Sequence, residues 1–228
     1  MKLSTFVILT MAFCGLSRSA QADNWCNPTK APTINIKTST DQISYNFSLS
    51  EKQLNSFETS TVSPYASNII TDVGGLMKGG IETQQRMSFQ TMTNQRTQQV
   101  CFWHDTIEVM LHIKPTIFIA SEFPQGTCMH NSIMGHEQKH IQVDREIVNK
   151  YAALIGQALQ NDVSRYRVFG PFPASNQDAA LEQVKTRMQN ILRQYSNQMS
   201  AERKARQQQV DNLAEYERVN KSCKRSRP

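Results

Sequence analysis

Histidine is scarce in this chain, and long apolar runs are scarcer. Five histidines are spread over 228 residues. Beyond the first two dozen positions, no stretch approaches the roughly 20 apolar residues that a membrane-spanning helix requires. The cysteines form neither a CxxC pair nor a zinc-finger spacing, which argues against a dithiol redox motif and against cysteine-ligated structural zinc. Motifs of nucleic-acid recognition are also missing, and the formal charge of +6 is modest. Its basic residues gather in the tail at Lys221, Lys224, Arg225 and Arg227, read as a solubilising end with at most weak contact to an anionic surface.

What is present begins with a targeting pattern. Met1 to Ala22 carries Lys2, an apolar run from Phe6 to Phe13 and a small-x-small site at Ala20-Gln21-Ala22, so a secretory signal cleaved after Ala22 is expected. Export permits disulfides. The remaining cysteines, Cys26, Cys101, Cys128 and Cys223, are an even set with three connectivities. Cys101 starts a strand-like segment and Cys128 precedes a helix, so Cys101–Cys128 with Cys26–Cys223 is the expected pairing.

The remaining ~200 residues suit one domain. It is expected over 23–222, strand-rich at 33–125 and helical at 131–222, with a basic tail at 223–228. Ile34 and Ile36 alternate with polar residues, as do Ile43, Tyr45, Phe47 and Leu49, giving two short strands. Ser50 to Gln53 is a capping box with Leu49 and Leu54 as its staple. Residues 59–80 read as turns, and Arg86 to Thr93 as a further strand. Ile107, Val109, Leu111 and Ile113 alternate strictly before Pro115, which predicts an edge position or a bend. An edge there could take an extended peptide by strand addition. From Asp178 to Ser222 the chain reads as one long polar helix. Its irregular heptads favour packing back on the domain over a coiled coil. The class is α+β, with a small, mostly antiparallel sheet packed on two long helices.

The central stretch is Gly135-His136-Glu137-Gln138-Lys139-His140. On a helix, residues four apart share a face, so both imidazoles can reach one ion while Glu137 lies close enough to take a proton from a water on it. The helical wheel from Ser132 to Leu159 puts His136, Glu137, His140 and Asp144 on the apolar face. Four polar groups turned inward are costly unless satisfied. A zinc ion would satisfy the histidines, and Asp144 is placed one turn on to orient His140. The bland alternative is a metal-free buried hydrogen-bond cluster.

A third ligand is required for catalytic zinc. Glu146 has the spacing for one, but Val143-Asp144-Arg145 offers no helix-breaking glycine, so it is set aside. Asp144 lies about 12 Å along the axis from His136, too far to share the ion. If 161–175 forms an antiparallel hairpin, residues 196–200 fall opposite the motif; Glu182, Asp211 and Glu215 face away from the apolar stripe, whereas Glu202 lies within it with Tyr195 and Met199. Glu202 is thus read as third ligand or as an ion-pair partner of Arg206. His130, His112 and His104 stand as fallback ligands, and Tyr195 as a donor to an oxyanion.

His136, Glu137 and His140 resemble the motif of the zincin metallopeptidases. More narrowly, the layout is similar to a bacterial secreted family of unknown function recorded as predicted zinc-dependent proteases. The shared layout is a signal peptide, short strands, a cysteine before the motif and a second long helix. The likeness covers roughly 100–220. That family carries a Tyr-Asp…Thr-x-His-like element on the later helix, and Tyr195 to Ala201 lacks its aspartate, threonine and histidine. The resemblance implies a zincin-like fold, a zinc cofactor and a peptide or protein substrate. The rival expectation is a non-catalytic envelope protein, its His/Glu/His cluster structural and its basic helix binding a partner or surface.

Overall fold

Ile107, Val109, Leu111 and Ile113 all point inward in the computed structural model, which describes residues 25–59, 61–65 and 72–223. The expected signal segment and most of the basic tail lie outside the described residues. These four side chains belong to β5 (Gln99–Ile113), the hub of the larger sheet. β1 (Thr33–Thr40) runs parallel to its second half. β4 (Ile81–Asn94) pairs along its length and β7 (Phe169–Pro173) pairs with its start, both antiparallel. Burying an aliphatic side chain of this kind contributes about 1.5–3 kcal/mol, so the alternation fixes which face of β5 meets the helices.

Pro115 makes the bend that was one of its two expected roles. The chain turns there from β5 into β6 (Thr116–Ile119), the middle of a second sheet ordered β2-β6-β3. β2 (Ser44–Asn46) is shorter than the expected strand and parallel to β6, whereas β3 (Gly75–Lys78) is antiparallel. The edge expectation is corrected for β5 and β6, which are both flanked. Among the described residues the free edge nearest the motif is β3, inside a stretch expected to be turns. The capping box of Ser50 and Gln53 forms as expected and opens the one-turn helix α1 (Glu51–Leu54).

α2 (Cys128–Arg165) carries the motif and starts earlier than expected. Its N-cap is Thr127, whose hydroxyl accepts from the His130 N–H. Gly126, at φ +82°, provides the left-handed turn into it. The far half of α2 buries Ile147, Val148, Tyr151, Ile155 and Leu159 against β5 and against Met188, Leu192 and Met199 of α3 (Gln177–Val210). The near half buries Ile133 and Ile141 against Ile117 and Ile119 of the small sheet.

The expected helix over 178–222 is divided. α3 ends at Val210, Asp211 leaves helical geometry with ψ 66°, and Asn212 caps α4 (Leu213–Ser222) by accepting from the Glu215 N–H at 3.0 Å.

The cysteines pair as Cys26–Cys101 and Cys128–Cys223, correcting both expected bridges. Closeness in sequence misled the pairing of Cys101 with Cys128. The thirteen residues of β5 from Cys101 to Ile113 carry the chain about 40 Å away from Cys101 before it turns toward Cys128. Cys128–Cys223 instead ties the end of α4 to the start of α2.

Candidate metal centre

One turn of α2 separates His136 from His140, and their rings meet edge to face with centroids 5.0 Å apart. Both are buried, as are Glu137 and Asp144, so the inward face expected from the wheel is present. The third member of the cluster is Asp211, at the break between α3 and α4. Its Oδ1 lies 3.1 Å from Nε2 of His136 and 3.2 Å from Nε2 of His140. One ligand atom from each residue falls within 4.8 Å of the others, so this group could hold a metal ion. Bonds of 2.0–2.2 Å in a tetrahedral zinc site place ligand atoms about 3.3 Å apart. Both imidazole-to-carboxylate separations are thus already near what one shared ion requires.

The far nitrogens of both rings are engaged. Gln207 donates from Nε2 to the His140 carbonyl at 3.1 Å and to Asp144 Oδ1 at 2.7 Å. That orientation turns its Oε1 toward His140 Nδ1, which must therefore carry the proton. His136 Nδ1 faces Glu215 Oε1 at 3.4 Å. Glu215 also accepts from Lys139 and Arg218, both at 2.6 Å, and the Arg218 hydrogen bonds, with Lys139 beside them, hold its carboxyl down to about 2. It is an anion, so Nδ1 of His136 is a donor as well.

Burial alone would raise the Asp211 carboxyl, yet the hydrogen bonds from His136 and His140 prevail and hold it well below the usual carboxylate range. Burial likewise opposes charging of His140, and Asp211 reverses that, leaving the imidazole raised. Glu137 behaves oppositely. Desolvation pushes its carboxyl up, against the positive potential of His136 and His140 and a hydrogen bond from the Met77 backbone N–H. β3 can approach so closely because Gly75 has no side chain: a Cβ there would sit 2.9 Å from Glu137 Oε1 and 2.3 Å from Ile133 Cγ2.

Other expected site residues lie elsewhere. Glu202 is neither a ligand nor the partner of Arg206; its Oε2 takes Lys150 at 2.6 Å and the Tyr151 hydroxyl at 3.1 Å. Arg206 pairs with Glu146. The cause is the hairpin register, in which Asp162 meets Arg187, Asp144 meets Arg203 and His140 meets Gln207. Residues 196–200 therefore lie well short of the motif. Asp144 is fully buried, accepts from Arg203 Nε and Nη2 at 2.6 and 2.9 Å, and reaches His140 through Gln207 rather than directly. Tyr195 packs against the main core.

The tyrosine at the cluster is Tyr216, whose ring lies 5.5 Å from His136 and whose hydroxyl is 3.3 Å from Asp211 Oδ1. Burial, reinforced by Asp211, raises it and keeps it a neutral donor.

None of the fallback histidines joins the cluster. His130 is bonded to the Phe123 carbonyl, and His112 lies against Ser39 and Asp41. His104 is buried among Phe89, Phe102 and Phe169.

The expectation that Asp211 and Glu215 face away is corrected, because the helix breaks at Asp211 and both reach the cluster; Gln207 and Tyr216 carry no sequence signal that would place them there. A signal for the break was available: Asp211-Asn212 followed by Glu215 places two poor helix-interior residues before an acidic first turn. No protein-family model, no curated protein and no solved structure matches this chain.

Proposed function

We propose that this chain is an exported zinc-dependent metallopeptidase, with His136, His140 and Asp211 holding the ion and Glu137 acting as general base. The observation that carries this reading is the convergence of three buried ligand atoms, with Nε2 of His136 and Nε2 of His140 at 3.1 and 3.2 Å from one Asp211 oxygen. Glu215 and Gln207 engage the far nitrogens, so Nε2 is the atom each ring has left to offer a metal. In the metal-free cluster protons on Nε2 make these contacts to Asp211, and an ion would take their place. Two imidazole nitrogens and one carboxylate oxygen are a donor set of the catalytic zinc type, which leaves a fourth position open.

Zinc bound by such ligands polarises a carbonyl and lowers the pKa of a bound water toward neutrality. Glu137 accepts the proton of the attacking water and returns it to the departing amine, a role its raised carboxyl suits. Tyr216, neutral and beside the ligands, is the donor available to a developing oxyanion, in place of Tyr195. The two disulfides support an oxidising compartment.

Metal analysis tests the reading directly. Purified protein should carry about one zinc per chain. The metal should be lost in His136→Ala and in Asp211→Ala while the fold persists by circular dichroism. A folded, metal-free wild-type protein that binds no added zinc would return the cluster to a structural role.

A further inference from the structure

Beside the proposed metal ligands, one side chain reads a peptide backbone. Gln208 Oε1 accepts from the Val62 N–H at 2.8 Å, and Gln208 Nε2 donates to the Val62 carbonyl at 3.1 Å. One primary amide thus exchanges two hydrogen bonds with a single residue, the pattern of a paired residue in an antiparallel ladder. A third bond, from Gln208 Nε2 to the Asp211 carbonyl at 3.1 Å, orients the amide and links it to the residue that supplies the third ligand.

Val62 itself contributes little to this seat. The residue is 73% exposed, so what Gln208 holds is the N–H and C=O that almost every peptide residue possesses. The neighbouring contacts run along the same face. The Thr61 hydroxyl lies close enough to the Asp211 carboxylate to help hold it low. The Tyr65 ring stands perpendicular to Tyr216 with centroids 6.0 Å apart. Partly exposed amide bonds of this kind exchange readily with water and hold a segment weakly.

We propose that Gln208 is a backbone clamp for an extended peptide, and that residues 61–65 occupy it as an internal, displaceable ligand. A substrate would bind by replacing Val62 on the amide, so the strap restrains access to the same centre. The inference rests on the metallopeptidase reading and names both its ligand class, an extended polypeptide recognised through its main chain, and its restraint.

The test uses the full chain loaded with cobalt(II), whose visible band reports ligands entering the metal shell. Two probes are titrated: acetohydroxamate, which has a metal-binding group alone, and a dipeptide hydroxamate, which adds a backbone. The double variant Thr61→Val/Tyr65→Ala loosens the strap and leaves Gln208 and all three ligands in place. It should bind the dipeptide hydroxamate on the order of 10-fold more tightly than wild type, the gain expected for a strap seated about nine-tenths of the time. Acetohydroxamate should change far less. Adding Gln208→Leu should abolish the gain. Val62→Pro, which removes the N–H donated to Gln208 and restricts the local backbone, provides a second loosened form should the double variant disturb the cobalt band. Equal dipeptide affinity in wild type and loosened variants, with the band intact, overturns the clamp and leaves the metal reading standing. Absence of a cobalt band in wild type overturns both.

Discussion

Gln207 stands between His140 and Asp144, accepting from the imidazole Nδ1–H and donating to the carboxylate at 2.7 Å. Arg203 closes the chain, bonding both Asp144 oxygens and the Gly79 carbonyl at the start of the β3–β4 turn. The amide therefore fixes a tautomer, and the ion pair behind it fixes the amide. Replacing Gln207 with Leu removes the acceptor and leaves Asp144 one donor short. Groups in this position typically change metal affinity 10–100-fold, and a loss of that order is expected here. Competition for zinc against a chelator of known affinity measures it. Unchanged affinity in a folded variant would mean that Gln207 only packs.

Glu137 is buried against Gly75 and the Met77 backbone, close to the proposed ligands but separate from them. Glu137→Gln keeps the shape and a hydrogen-bonding group while removing the base. The variant should hold zinc as wild type does and lose about 10²–10⁴ in hydrolysis of a mixed peptide library. Cleavage at the wild-type rate would remove Glu137 from the chemistry.

Gly75 is where the small sheet touches the motif helix. A methyl group there would meet Ile133 Cγ2 at 2.3 Å, too close for any rearrangement confined to a side-chain tip. Gly75→Ala should cost about 1–3 kcal/mol as overpacking, read from urea unfolding. Combining it with Ile133→Ala should relieve part of that cost, so the two changes should be non-additive. Strict additivity would place the two residues out of contact.

How much of this was legible in the sequence follows from which signals are local. The alternation Ile107, Val109, Leu111, Ile113 and the wheel from Ser132 to Leu159 both report a buried face directly, and both are found as expected. Glu202 follows from an assumed hairpin register, and the exclusion of Asp211 and Glu215 from one helical wheel carried unbroken past Val210; the structure changes both. Break and register depend on how α3 meets α2 through Asp162–Arg187 and Asp144–Arg203, long-range pairings that no local period encodes. The disulfides were misassigned for a related reason. Cysteine identity is local information, but pairing depends on where β5 begins and ends. β3 was hidden because its four residues adjoin glycine pairs and carry too little alternation to show.

His104 supplies a pH dependence independent of the metal. It is buried beside Phe89 and Phe169, and neither ring nitrogen has a hydrogen-bond partner among the described residues. Burial lowers the imidazole from its ordinary 6.5 to about 4, with the Asp162 charge opposing. The folded protein thus binds this proton less readily than the unfolded chain does. Stability from the neutral ring is fully present above pH 6.5 and is lost as pH falls toward 4. The full span corresponds to about 3 kcal/mol. His104→Phe suits the aromatic surroundings and removes the titrating group. It should flatten the acid limb of a plot of unfolding free energy against pH over that interval, with little change in the neutral plateau attributable to proton binding. An acid limb as steep as that of wild type would show that other groups control it.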